Sequence, residues 1–320
     1  KDGWPAERKL CIAVEPATIL FHFRKNSYET RYFPTIKYQG MRIDFMFKDA
    51  QVVSNQPAWL LLEDVLYFFE QNIEGKKLQP FLNKRYITIP KTSEETYFDR
   101  FVNNLIKKYH VYAEGFEIKT EQFEPIPVLK VIYVEAGLSQ LQLFFKYGEH
   151  LFPVETDKKV SVKVERHEEE YIFKRIKRKA DWEKNTIAEL VKIGLKKTSP
   201  PSSVFELNKQ YVDEDKSYGV INWVNEHLEE LQTKGYEIEQ VSAKKKFLFA
   251  TNKIDFEISE KNDWFDINAV VYFGVHAIPF LALKQHILHK RREFTLPDGS
   301  IAIIPEQWLT KYGSLFSLSE

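Results

Sequence analysis

Thr92-Ser93-Glu94-Glu95-Thr96-Tyr97-Phe98-Asp99-Arg100-Phe101-Val102-Asn103-Asn104-Leu105-Ile106-Lys107-Lys108-Tyr109, lying just behind Pro90, is the stretch whose periodicity separates the possible fold classes. Tyr97, Phe98, Phe101, Val102, Leu105, Ile106 and Tyr109 fall on one helical stripe, and Arg100, Asn104, Lys107 and Lys108 on the far side. Thr92 is placed to cap this helix, with Glu95 three residues on to answer the Thr92 amide. Upstream the period changes from 3.6 to 2. Ile19, Phe21 and Phe23 alternate with Leu20, His22 and Arg24, and Met41, Ile43, Phe45 and Phe47 share one face of a second alternating run. Between them and the helix, Trp59 to Phe69 is a denser apolar block whose Leu62, Val65, Leu66 and Phe69 spacing predicts a mostly buried helix. Strands and helices interspersed without a repeated strand-helix-strand unit predict an α+β fold, with mostly antiparallel sheets, packed amphipathic helices and two subdomains.

Downstream, strands are expected at Val128 to Val134 and Leu141 to Phe145, joined through Gly137, and again where Val160, Val162 and Val164 alternate with polar residues. Tyr171 to Arg178 fits either helix or strand. Thr186 to Gly194 reads as a short helix closed by glycine, and Ser199-Pro200-Pro201-Ser202-Ser203 as a linker. This divides the chain into 1–157, 158–203 and 204–320. In the last part, Ile221, Val224, Leu228 and Leu231 mark a helix stopped by Gly235. Strands follow at 247–249, 254–258 and 264–273, and Asp298-Gly299 between apolar flanks signals a hairpin. Gly115-Phe116-Glu117-Ile118 and Gly235-Tyr236-Glu237-Ile238 each read as a helix-ending glycine before a strand.

Composition bounds the chemistry. In 320 residues, 46 Lys and Arg balance 46 Asp and Glu, so attraction to nucleic acid must come from local patches. The single cysteine, Cys11, excludes an internal disulfide framework and a cysteine-rich zinc module; it fits a reducing compartment, and a cytoplasmic location is expected. No apolar run is long enough for a membrane span, so no membrane partner is expected. The opening Lys1-Asp2-Gly3-Trp4-Pro5 lacks Met and a leader pattern, as expected for a piece of a longer protein.

Catalytic patterns fail one by one. Gly75-Lys76 is followed by Lys77 where a phosphate-binding loop needs Ser or Thr, and no glycine stands five residues before it. His167-Glu168-Glu169-Glu170-Tyr171 has tyrosine where a zinc-protease helix needs its second histidine. His286 and His289 share a helical face without a third ligand, there is no Gly-x-Ser-x-Gly elbow, and Cys11 sits in an apolar, strand-like context. No catalytic, cofactor-binding or metal residue is therefore assigned. What remains is charge: Lys174, Arg175, Lys177, Arg178 and Lys179; Lys244, Lys245 and Lys246; and Lys290, Arg291 and Arg292. Such groups can neutralise phosphates and release condensed counterions, which makes these eleven residues the candidate nucleic-acid contacts.

Trp264-Phe265-Asp266-Ile267, then Val270-Val271-Tyr272-Phe273-Gly274, Leu296-Pro297-Asp298-Gly299-Ser300 and Ile304-Pro305-Glu306-Gln307-Trp308-Leu309 form a series. In this order, they resemble the helicase-associated region of bacterial Swi/Snf-type ATPases. The likeness is strongest over 264–312 and looser over 145–195, where Arg166 and Glu170 follow a strand. It implies a non-catalytic accessory region of an ATP-dependent DNA translocase, with no catalytic residues of its own. ATP and magnesium would belong to motor lobes located after residue 320. It further implies the motor domain as partner, together with duplex DNA or a transcription or repair protein. The alternative is a protein-interaction scaffold without nucleic-acid contact, for which Trp264 and Trp308 are the candidate protein contacts.

Overall fold

The computed structural model describes residues 9–133, 139–154, 159–168, 170–198, 203–208, 218–241, 245–261 and 264–317; the side chains of 139, 256–268, 315 and 317 lie outside this description. The architecture is α+β with mostly antiparallel sheets, in two compact units. The units part at 122/123, 158/159 and 178/179 rather than at 199–203. Residues 199–202 lie outside the described residues. The strands on either side of them, Leu195–Lys197 and Val204–Leu207, pair antiparallel, so both flanks belong to one sheet of the second unit.

The first unit combines 1–122 with 159–178. Its central sheet orders Met41–Ile43, Glu29–Tyr38, Thr18–Lys25 and Val111–Glu114, with Ile87–Pro90 also on Glu29–Tyr38. Ile19, Phe21 and Phe23 are buried as their alternation requires, and Tyr32 and Ile36 of the next strand join them. The run at 41–47 is strand only to Ile43; Phe45 is still buried, while Phe47 stands exposed at φ 59°.

The 92–109 stripe is one helical stretch, Lys91–Tyr97, a π-turn at Phe98–Val102, and Asn103–Lys108. Phe98, Val102, Leu105 and Ile106 are buried along it. Its start differs from the expected capping box: the helix begins at Lys91, one residue before the expected cap, with Pro90 at the N-cap. Glu94, not Glu95, turns inward, and its Oε1 accepts the Thr30 hydroxyl at 2.6 Å. Glu95 instead faces Arg166.

The apolar block at 59–69 is a hairpin and not a helix. Ala58–Leu62 and Val65–Phe68 pair antiparallel, with Glu63 at φ 56° and Asp64 as the two-residue turn. Burial alternates along Ala58–Leu62, so period two outweighed the helical spacing, and the two acids that looked like a polar helix face are the turn. Gln51–Asn55 and Cys11–Ile12 complete this sheet.

The third sheet of the unit settles the ambiguous segment. Glu170–Lys177 is a strand, antiparallel to Val160–His167 and parallel to Glu117–Glu121. Gly115 precedes this last strand after a strand, Val111–Glu114, whereas Gly235 follows a helix, so the two Gly-aromatic-Glu-Ile junctions differ. The faces of all three sheets share one aromatic core centred on Phe21, Tyr32, Phe81, Phe98, Phe116 and Phe173.

The second unit is built on Pro125–Tyr133 and Ser139–Tyr147, an antiparallel pair joined by residues outside the described set, Gly137 among them. Glu237–Val241 adds in parallel on one side and Val204–Leu207 antiparallel on the other. Two helices belong to it: Ala180–Lys192, followed by Gly194 at φ 103°, and Gly219–Thr233, followed by Gly235 at φ 80°. The remaining strands are Asn252–Lys261, Trp264–Phe273 and His276–Pro279. Phe247 contributes only an isolated bridge to Ile301.

The hairpin Glu293–Thr295 with Ile301–Ile303 closes through Gly299 at φ 82°, where a side chain would be strained. Asp298 Oδ1 accepts both the Ser300 amide and its hydroxyl, at 3.0 and 2.6 Å, which holds its carboxyl below the usual aspartate range. Helix Glu306–Ser317 packs back, with Tyr312 and Phe316 buried against Phe280.

Candidate nucleic-acid interface

The structure sorts the eleven predicted cations by what their backbone does with them. Lys174, Arg175 and Lys177 alternate along the strand Glu170–Lys177. Lys174 Nζ pairs with Glu165 across the hairpin, and Arg175 Nε donates to the Ile106 carbonyl at 3.3 Å. Lys177 is exposed, whereas Arg178 is buried, with its amide donating to the Lys159 carbonyl. Lys179 lies in the second unit, where its Nζ meets both oxygens of Glu124 at 2.6 Å. A run of five charges in six residues thus leaves few of them open to a phosphate.

In the second unit the other two clusters converge on one hairpin. The Lys246 carbonyl accepts the Ile301 amide, which fixes 246 beside the strand Ile301–Ile303, while 290–292 leads into the partner strand Glu293–Thr295. Glu293 accepts Lys245 Nζ at 2.7 and 2.8 Å and the Tyr218 hydroxyl at 2.9 Å. Arg292 is buried, its Nε donating to the Ile304 carbonyl at 3.1 Å and its guanidinium lying over the Tyr218 ring. Lys246, Lys290 and Arg291 are exposed, and Lys244 lies outside the described residues. Lys246, beside Asp298 toward the turn, and Lys290 and Arg291, ahead of the hairpin's first strand, are the cations of these two clusters that a phosphate backbone can reach.

Of the two tryptophans, Trp264 opens the strand Trp264–Phe273 opposite Lys261, and its side chain lies outside the description. Trp308 is half-buried, its ring 6.1 Å from Phe273, so it serves the core of the second unit. Among the described residues no three His, Cys, Asp or Glu side chains gather as a metal-ligand set. His167 and Glu170 face each other across a turn with Glu168 at φ 55°, which removes the helix that a zinc-protease motif requires.

A second basic surface, absent from the sequence-derived clusters, lies in the first unit. Arg24, Arg31, Arg42 and Arg85 line one cleft of about 680 Å³ with Phe33, Asp44, Met46, Phe47 and Tyr86. These arginines come from four separate segments, so no linear charge count finds them. The signal was the alternation itself: with Ile19, Phe21 and Phe23 committed to the core, His22 and Arg24 must share the other face, and so must Arg31 and Phe33 on the next strand.

His22 reports the electrostatics of that face. Stacked on Phe33 at 4.9 Å, it titrates below the usual histidine range, first because of burial and then because Arg24 and Arg42 are near. Lys37 adds to this and Glu114 opposes it. His286, half-buried and beside Arg291, is lowered in the same sense. A folded-state pKa below the unfolded value, about 6.5, means the unfolded chain takes up the proton first. Stability from these sites is full above that value and declines as pH falls through the window between the two. Urea midpoints are expected to drop between neutral pH and about pH 5, and His22→Gln should reduce the drop; an unchanged pH dependence in the variant would assign the effect elsewhere.

Comparison with curated proteins and with solved structures finds no match. A family model described as bacterial SNF2 helicase associated does match, and it covers residues 13–317, both compact units included. That span takes in the Trp-Phe strand at 264–273, the Asp-Gly hairpin and the closing Trp308 helix, the elements that carried the resemblance. The chain belongs to the bacterial SNF2 helicase-associated family.

Proposed function

We propose that the chain is a non-catalytic accessory region of a bacterial SNF2-type DNA translocase and lends the motor a weak, sequence-independent contact with duplex DNA. The observation that carries this reading is the family match, joined to the exposed Lys246, Lys290 and Arg291 around one hairpin. Cations of this kind bind by releasing condensed counterions, so they fix position on the backbone without reading bases. Of the surrounding acids, Glu293 is already engaged by Lys245 and Tyr218, whereas Asp298, hydrogen-bonded by Ser300, keeps its charge near Lys246 and leaves Lys290 and Arg291 as the stronger contacts. ATP and magnesium are assigned to the motor lobes, in keeping with the absence of a phosphate-binding loop from the sequence. The motor lobes are then the first partner, and a transcription or repair protein is compatible with the same role. The cytoplasm is the compartment this role requires, and no helix among the described residues is long and apolar enough to cross a membrane.

Calorimetry on the isolated chain should show no ATP binding saturating at micromolar ligand; stoichiometric binding would reveal a nucleotide site in it. In the protein that includes the motor, Lys246→Ser with Lys290→Ser and Arg291→Ser should raise the DNA concentration that half-saturates ATP hydrolysis several-fold. An unchanged half-saturation point would remove DNA contact from this surface. The protein-interaction reading then gains, and it has its own observation: Val275 and Leu281, 93% and 71% exposed, flank the strand His276–Pro279.

A further inference from the structure

The cleft in the first unit carries a combination that backbone electrostatics alone does not explain. Four arginines face a single lining carboxylate, Asp44, so the cleft suits a polyanion. Arg42 and Arg85 are exposed and make no ion pair among the described residues. Arg24 and Arg31 are held by Glu114 and Glu29 at 3.0 and 2.6 Å; the first pair is solvent-exposed and of little net strength, the second is open on its arginine side, and a phosphate oxygen competes with both carboxylates.

The same cleft exposes aromatic rings. Tyr86 and Phe47 are 42% and 58% exposed, and Phe47 sits at φ 59°, a conformation that costs energy for a bulky residue. The Phe47 amide donates to the Leu82 carbonyl at 2.8 Å, which holds the backbone there. Arg31 lies over the Tyr86 ring at 4.7 Å and Arg24 over Phe33 at 5.4 Å, so guanidinium planes and rings already stack on one another. Rings and guanidinium planes beside a phosphate-binding groove are what unpaired bases stack upon, whereas a duplex hides its base faces.

We propose that this cleft binds a single strand of nucleic acid, with phosphates on Arg24, Arg31, Arg42 and Arg85 and bases stacked on Tyr86 and Phe47. The site is separate from the hairpin cations assigned to duplex DNA, and it rests on the first unit's geometry alone. Because stacking uses the face that every base shares, recognition is tolerant of sequence.

The test uses the full chain and three fluorescein-labelled probes of about ten nucleotides: oligo-dT, an abasic strand of equal charge, and a duplex. Anisotropy at low salt is expected to give oligo-dT an affinity at least about fivefold above the other two, the lower end of what one stacked base contributes. Tyr86→Leu should lose that margin and Tyr86→Phe keep it. Arg42→Ala with Arg85→Ala should weaken oligo-dT and lower its salt slope by roughly 1.4, about 0.7 for each phosphate that an arginine neutralises. All three residues are exposed, and unchanged thermal melting of the variants would show that folding is not the cause. Equal affinity for the abasic strand, preference for the duplex, equally tight binding of polyglutamate, or no binding at low salt would each overturn the proposal. Failure here is distinguishable from failure of the duplex contact, because Lys246→Ser, Lys290→Ser and Arg291→Ser should leave oligo-dT binding as it is.

Discussion

Phe98→Ala is expected to destabilise the first unit by about 3–5 kcal/mol, among the largest losses a single truncation produces. Phe98 is fully buried in the π-turn of the helical stretch, and its ring lies 5.1 Å from Phe116, 4.7 Å from Tyr171 and 5.8 Å from Phe173. Phe116 precedes the strand Glu117–Glu121, and Tyr171 and Phe173 belong to Glu170–Lys177, so one ring ties the helix to both sides of a parallel pair. Removing it leaves a cavity that three aromatic neighbours cannot close without leaving their own positions. Phe98→Leu, which keeps most of the volume, should lose far less. The check is the urea midpoint of each variant; a loss below about 1 kcal/mol for Phe98→Ala would mean that the ring is not the joint described.

Trp223→Ala should likewise cost the second unit about 3–5 kcal/mol, the lost hydrogen bond to a part-buried carbonyl included. Trp223 is 1% exposed on the helix Gly219–Thr233, and its Nε1 donates to the Ile193 carbonyl at 2.8 Å. Ile193 is the C-cap of Ala180–Lys192, so the indole satisfies one of the acceptors that a helix end cannot satisfy itself. Trp223→Phe separates the two contributions, since it retains a ring but not the N–H. Denaturation of the three proteins side by side should rank wild type above Trp223→Phe and Trp223→Phe above Trp223→Ala. Equal stability of wild type and Trp223→Phe would show that the bond to Ile193 contributes nothing.

These two residues also mark how far the sequence could be followed. The stripe containing Phe98 and the one containing Val224 and Leu228 were visible because an amphipathic helix writes its buried face at a fixed interval. The hairpin at Asp298-Gly299 was visible because a tight turn demands particular residues. Ala58 to Phe68 went the other way: apolar residues at 62, 65, 66 and 69 satisfy helical spacing, and only the partner strand Gln51–Asn55 shows that burial follows period two. The interleaving of 159–178 with the first unit was not legible, since parallel pairing of Glu117–Glu121 with Glu170–Lys177 is a long-range choice that no local pattern encodes.

The site was legible in a similar, partial way. Runs such as 174–179 overstate a surface, because neighbouring residues on a strand point to opposite faces, and Arg178 and Arg292 are buried. The arginine cleft, drawn from residues 24, 31, 42 and 85, assembles only in the folded sheet. Charge adjacent in sequence and charge adjacent in space are different quantities in a β-rich chain.

An accessory surface that holds duplex DNA through counterion release must show itself when salt is titrated against duplex affinity. The comparison is between wild type and the variant carrying Lys246→Ser, Lys290→Ser and Arg291→Ser. Wild type is expected to give a straight log-log plot, indifferent to base sequence, and the variant a slope shallower by roughly 2 to 3, about 0.9 for each phosphate that is no longer neutralised. Coincident slopes for the two proteins, or no duplex binding by wild type at the lowest salt, would contradict it.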